Sequence, residues 1–156
     1  MAIANTLQNF MLTAGVHYDV LPHPRTLSSN RTAQAAHVSG DRMAKAVLLE
    51  DDQGYVLAVL PASHRLALGE VHHAMQRILG LATEGEIAEL FRDCDVGAIP
   101  PFGAPYGIET ILDDSLMEQP QIYFEAGDHE DLIRVSGKEF QSLLGNARRG
   151  HFSHHL

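Results

Sequence analysis

Apolar and polar positions repeat with two different periods along this chain, and the switches between them outline its elements. Leu7, Phe10, Met11 and Ala14 recur at helical spacing and stop at Gly15, so an N-terminal helix is predicted there. Val16, Tyr18 and Val20 then alternate, which predicts a strand ending near Pro22. Residues 24–30 are polar and loop-like, and Thr32 is placed to cap a short helix through Ala33, Ala35 and Ala36 to about Gly40. Strands are predicted over 42–50 and 55–60, joined as a hairpin by Asp51-Asp52-Gln53-Gly54. Residues 63–68 read as a connector, and 69–79 as a helix closed by Gly80. Thr83 and Glu86 form a capping box for a helix through Phe91, with Ile87, Leu90 and Phe91 as its apolar stripe. Residues 95–107 are too rich in Gly and Pro for regular structure. Short strands are predicted over 107–112, 121–125 and 131–135, the last two joined through Gly127-Asp128. Ser136 and Glu139 make a second capping box, for a final helix ending at Gly145.

Helices alternating with hairpins imply an α/β (α+β) domain whose sheet is mixed and largely antiparallel, or barrel-like, with helices around it. No repeat or linker interrupts the chain, so residues 1–156 are expected to form one domain. The tail over 146–156 carries His151, His154 and His155 and reads as mobile. At 45% hydrophobic and 20% charged residues the composition is that of a folded soluble protein. No apolar run approaches the ~18 residues that span a bilayer, and the first residues lack the pattern of a signal peptide. The expected compartment is the cytoplasm, with no membrane partner.

A net charge of −9 argues against broad, non-specific nucleic-acid binding, which needs a basic field. A short local contact through cations such as Arg25, Arg31, Arg42 and Lys45 stays compatible with it. Cys94 is the only cysteine, so there is no internal disulfide and no CxxC metal site. It reads as a small buried hydrophobe rather than a nucleophile.

Lys45 is the most informative single residue. It shares a strand face with Met43, Val47 and Leu49, while Ala44, Ala46 and Leu48 share the other, so the lysine has no evident solvent side. Either it is buried and needs partners or an open pocket, or it reaches outward from a sheet edge. The stretch from Gly97 through Pro100, Pro101 and Phe102 to Gly107 combines stiffening prolines with glycines that allow close approach. Phe102 and Tyr106 offer stacking surfaces there, and a rigid crossover loop is the alternative reading. In Gly127-Asp128-His129-Glu130 the histidine can orient or deprotonate a ligand, or the segment is a plain polar hairpin tip. His72 and His73 point about 100° apart on a helix and chelate poorly, and no HExxH motif is present, so no metal site is expected. GxSxG, Walker and GxGxxG motifs are absent as well.

The order of these features resembles one family. A lysine within MAKAVLLE, its partner GYVLAVLP, the Gly-x-x-x-Pro run from Gly97 to Pro101 continuing as PFG, and YFEAGDH before LIRVSGKEF occur in that sequence together. This set resembles the YbaK/ProX family, related to the editing domain of bacterial prolyl-tRNA synthetases, over about residues 16–144. The resemblance implies a trans-editing hydrolase that cleaves the ester of mischarged aminoacyl-tRNA, of the alanyl- or cysteinyl-tRNA(Pro) type. It implies that Lys45 holds the tRNA 3′ end or acyl group and that Gly97 and Pro101 shape the pocket, with His129 where some members place a pocket histidine. Ile99, Pro100, Phe102 and Arg31 are the further substrate contacts it suggests. Water activated with help from a ribose hydroxyl would need no protein nucleophile and no cofactor. The implied partners are the acceptor end of aminoacyl-tRNA and an aminoacyl-tRNA synthetase. Two other readings compete: a non-catalytic aminoacyl-, nucleotide- or synthetase-docking module of the same fold, and a metal-binding protein using its histidines.

Overall fold

A long apolar hairpin with both faces covered organises the fold. The structure, a computed structural model, describes residues 3–26 and 28–156, apart from the side chains of Ser29 and Asn30. The hairpin consists of β2 (Met43–Asp51) and β3 (Gly54–Pro61), in register from Ala44↔Pro61 to Asp51↔Gly54. Asp51 Oδ1 accepts from the amides of Gln53 and Gly54, and Gly54 takes a φ of 138° that a side chain would resist.

Four shorter strands continue the sheet: β1 (Asp19–Pro22), β6 (Glu109–Asp113), β7 (Gln121–Glu125) and β8 (Asp131–Ser136). With β9 (Arg148–Gly150) the order is β1-β8-β7-β2-β3-β6-β9, and a two-residue β5 (Gly80–Leu81) joins β2 at Leu49 and Glu50. The β2–β7, β3–β6 and β6–β9 pairs are parallel and the others antiparallel. The expected mixed α+β architecture is therefore the one found. Helices α1 (Asn5–Ala14), α2 (Ser29–Ala35), α3 (Leu68–Met75), α4 (Glu84–Leu90) and α5 (Gly137–Leu144) lie against it. Both predicted capping boxes form, at Thr83–Glu86 and Ser136–Glu139. Gly15 ends α1 in the left-handed conformation.

Several elements depart from their sequence reading. Ser28 rather than Thr32 caps α2, accepting from the Arg31 amide at 3.2 Å, and Thr32 is buried inside the helix. Both hydroxyl residues suit a cap; packing of Ala33 against Met43, Ala62 and Leu132 decides where the helix begins. α3 ends at Met75, where Gln76 adopts a φ of 54°, so the segment to Leu79 is not helical. That turn sends Leu79 into the core beside Leu49 and Val71. The predicted connector contains a strand, β4 (His64–Leu66), because the tail supplies its partner, β10 (Ser153–His155). The tail is thus ordered rather than mobile, and it buries Phe152.

One aromatic core holds the sheet and terminal helices together. Phe102 meets Phe10, Phe124 and Phe140 at ring-centroid distances of 5.6, 5.0 and 5.7 Å. Leu7 and Met11 of α1 are fully buried in the same cluster.

Candidate functional site

The site starts where two strands part. β2 and β7 pair only at Met43↔Tyr123 and Ala44↔Phe124. Beyond that point the loop after α4 fills the gap. Asp95 donates its amide to Gly127 O at 2.8 Å and Gly127 donates to Ala98 O at 3.0 Å, while Ile99 packs with Leu48 and Leu57. The loop therefore links the end of β7 to the β2–β3 hairpin. Gly127 permits the approach: it has a φ of +102°, and a methyl there would lie 2.7 Å from Ala4 Cβ.

A third segment crosses from the other side. His23 donates its amide to Glu130 O at 2.8 Å, Thr26 donates to His129 O at 3.4 Å, and Arg25 reaches Asp95 at 3.5 Å. Residues 23–26, 95–99 and 125–130 thus converge beside α2.

Alternation along β7 sends Ile122 and Phe124 into the aromatic core and Tyr123 and Glu125 to the opposite face, where Tyr123 packs with the α2 cluster. There His23, Thr32, Glu125, Asp128 and His129 are all buried. Thr26 and Thr32 hydrogen-bond through their hydroxyls. Asp128 Oδ1 accepts from the amides of Glu130 and Asp131, which fixes the hairpin tip. His23 Nδ1 is 2.8 Å from Pro24 O; a carbonyl only accepts, so Nδ1 carries the proton. Its Nε2 lies 3.9 Å from Glu125 Oε2, too far for a hydrogen bond.

Among the described residues, the buried side-chain atoms left without a partner are His23 Nε2, both Glu125 carboxylate oxygens, Asp128 Oδ2 and His129 Nδ1. All belong to this cluster. Buried polar groups are ordinarily hydrogen-bonded, so their concentration here sets this cluster apart from the rest of the interior. Burial pushes the Glu125 carboxyl up to about 7, with Asp128 and Asp131 adding repulsion and the Thr32 hydroxyl opposing it without completing a bond. Asp113 is equally buried yet fully engaged: it accepts from the Phe152 amide at 3.0 Å and from Ser115, and its carboxyl is held below the usual range.

Lys45 is half-buried on the same face of β2 as Met43, and its ammonium donates to His64 O at 2.7 Å and Ala62 O at 3.5 Å. Burial lowers its pKa from the usual lysine value. Among the described residues no carboxylate lies within ion-pair distance of it; β2 lies inside the sheet between β7 and β3, so Lys45 is the half-buried, partnered lysine of the first reading and not one reaching out from a sheet edge. Gly97 is exposed in a 3-10 turn, Val96–Ala98, next to the buried run Ile99, Pro100, Pro101 and Phe102. Phe102 is only 1% exposed and belongs to the aromatic core, so it offers no stacking surface. Ile99 is likewise turned into a core cluster. Arg31 is exposed on α2, and His129 is within the polar cluster. Tyr106 donates to Asp93 and contacts Cys94, whose thiol burial pushes up to about 12, far from a reactive thiolate.

His23, Thr32, Glu125 and Asp128 were not among the expected site residues. Gln121, Tyr123 and Glu125 share the polar face of an alternating strand, which by itself reads as solvent-facing. The signal was present only as Glu125, Asp128 and His129 spaced through YFEAGDH; that α2 covers this face is a tertiary fact.

The aminoacyl-tRNA editing domain is the family whose sequence model matches this chain, over residues 23–143. Among solved structures, a candidate trans-editing enzyme for prolyl tRNA synthetase is 26% identical, with a TM-score of 0.85 over 97% of this chain and 96% of that one. A hypothetical protein of known structure is 22% identical, with a TM-score of 0.85 over 96% of this chain and 100% of its own. The fold also occurs within a larger candidate signal transduction protein from Marinobacter aquaeolei VT8, at 19% identity and TM-score 0.76, covering 95% of this chain and 30% of that one. Comparison with curated proteins gives no match.

Proposed function

Because the chain belongs to the aminoacyl-tRNA editing domain family, we propose that it hydrolyses the ester joining a wrong amino acid to the terminal adenosine of tRNA. The observation that carries this reading is the set of unpartnered buried polar atoms beside the Gly97–Pro101 loop. An aminoacyl-adenosine end brings hydroxyls and an α-ammonium, groups able to satisfy such atoms. Glu125 would serve as counter-charge to the α-ammonium, which would draw its raised pKa back down.

In this reading Lys45 and backbone amides near Gly97 donate to the phosphate or the ester carbonyl, and His129 orients the ribose. A ribose hydroxyl helps to activate the attacking water. Catalysis then rests on position and electrostatics, in keeping with the unreactive state of Cys94. Discrimination is steric: one methylene is worth about 1–3 kcal/mol, so small residues such as alanine or cysteine attached to proline tRNA are the proposed substrates. With a net charge of −9 the protein would engage only the acceptor end, assisted by Arg25 and Arg31 or by a partner synthetase.

The test is hydrolysis of Ala-, Cys- and Ser-tRNA(Pro) by the wild type and Lys45→Ala. Release of one amino acid, dependent on Lys45, supports the proposal and names the substrate. Stable acyl-tRNAs throughout, with retained affinity, would favour a binding module.

A further inference from the structure

Away from the polar cluster, the C-terminal strand brings together three side chains that are distant in sequence. Asp41 lies in the 3-10 turn Gly40–Arg42, His64 opens β4 and His155 ends β10. One ligand-type atom from each falls within 4.8 Å of the other two. His155 Nε2 is 3.2 Å from Asp41 Oδ1. That separation matches the edge of a tetrahedron built from metal–ligand bonds of about 2.0–2.1 Å.

Each group is held by an outer partner. Ser63 Oγ donates to Asp41 Oδ1 at 2.5 Å, and Ser153 Oγ engages His64 Nδ1 at 2.8 Å. His155 Nδ1 lies 3.0 Å from Leu156 O. Since that main-chain oxygen can only accept, Nδ1 carries the proton and Nε2 turns its lone pair toward the Asp41 carboxylate. Two acceptors facing each other need a cation between them, either a second imidazole proton or a metal ion. A metal-ligating histidine usually donates its other ring N–H to a carboxylate or main-chain oxygen, as His155 does.

We propose that Asp41, His64 and His155 form a site for a divalent transition metal of the zinc class. Two imidazoles and one carboxylate suit that class and are poor hosts for magnesium or calcium, which prefer oxygen. The Asp41 and His155 side chains are 49% and 62% exposed, which leaves entry and room for water as remaining ligand. An ion there would clasp β10 to β4 and fix the His64 carbonyl on which the Lys45 ammonium rests. The site stands on its own geometry and does not depend on the editing reading.

Chelator-stripped, untagged full-length protein would be titrated with Co²⁺, read by visible absorption, and with Zn²⁺, read by thermal shift. The wild type should bind one Co²⁺ per chain with the bands of a low-coordinate site and be stabilised by Zn²⁺. His155→Ala, at the exposed chain end, and Asp41→Asn should each weaken binding by at least about tenfold. A His151→Ala/His154→Ala double variant, which removes the neighbouring surface pair, should bind like the wild type. Absence of Co²⁺ bands and of stabilisation in the wild type would overturn the proposal. So would unchanged binding in His155→Ala and Asp41→Asn, or binding lost only in the double variant.

Discussion

Phe124 and Glu125 are neighbours on one strand, equally buried, and they end in opposite kinds of interior. Phe124 enters a cluster of rings in which every contact is made, at 5.0 Å from Phe102 and 6.4 Å from Phe140. Glu125 enters a cluster in which neither carboxylate oxygen has a partner. The first region has the completed contacts of a fold, whereas in the second five buried polar atoms have no protein partner, the atoms that the proposed ligand would meet. Unmet demand of that kind is where local rules yield to function.

The contrast predicts different responses to substitution. Phe102→Ala should cost about 3–5 kcal/mol in urea denaturation, since it removes the ring shared by three others. A loss below about 1 kcal/mol would show that the aromatic cluster is not what holds the sheet to its helices. Lys45→Ala should act the other way, leaving stability near that of the wild type while deacylation falls roughly a hundredfold.

Glu125→Gln should stabilise the protein at high pH. A carboxyl raised to about 7 in the folded state, from 4.5, binds more protons folded than unfolded between those values. Stability from this group is therefore present at low pH, falls as pH rises from about 4.5 to 7, and is level above. Removing the charge should recover up to about 3 kcal/mol at pH 8 and flatten that slope. His23, His129, Asp128 and Asp131 surround the group, so the wild-type and Gln profiles are compared by their difference. An unchanged slope would mean that Glu125 is already paired. The smallest effect is expected for Ser28→Ala, which removes the cap of the helix covering the polar face: about 0.5–1 kcal/mol, with faster amide exchange along α2.

Much of the frame was legible from local chemistry. The boxes Thr83–Glu86 and Ser136–Glu139, the Gly54 turn and the two-faced apolar pattern of β2 are each decided by residues a few positions apart. Choices settled by distant packing were not. Ser28 and Thr32 are both competent caps, and only the seat of Ala33 against Met43 and Leu132 separates them. The tail became a strand because β4 lacked a partner, which neither segment reveals alone. In the site, Lys45 and His129 stood out by type and position, whereas His23 and Glu125, a hundred residues apart, meet only because β1 pairs with β8 and carries His23 over the hairpin tip. The Gly97–Pro101 run was read as pocket-forming, but its Ile99 side chain and that of the following Phe102 are committed to packing, leaving its backbone as the part that can meet a ligand.

The central claim is that the unpartnered cluster receives the aminoacyl end of tRNA. Its most direct test is the ¹⁵N spectrum of the histidine rings during titration with a non-hydrolysable 3′-aminoacylamido-adenosine. The account predicts that the His23 and His129 ring nitrogens shift together with one saturation curve, while His151 and His154 stay unmoved. Saturation that leaves His23 and His129 unchanged would place the ligand elsewhere and contradict it.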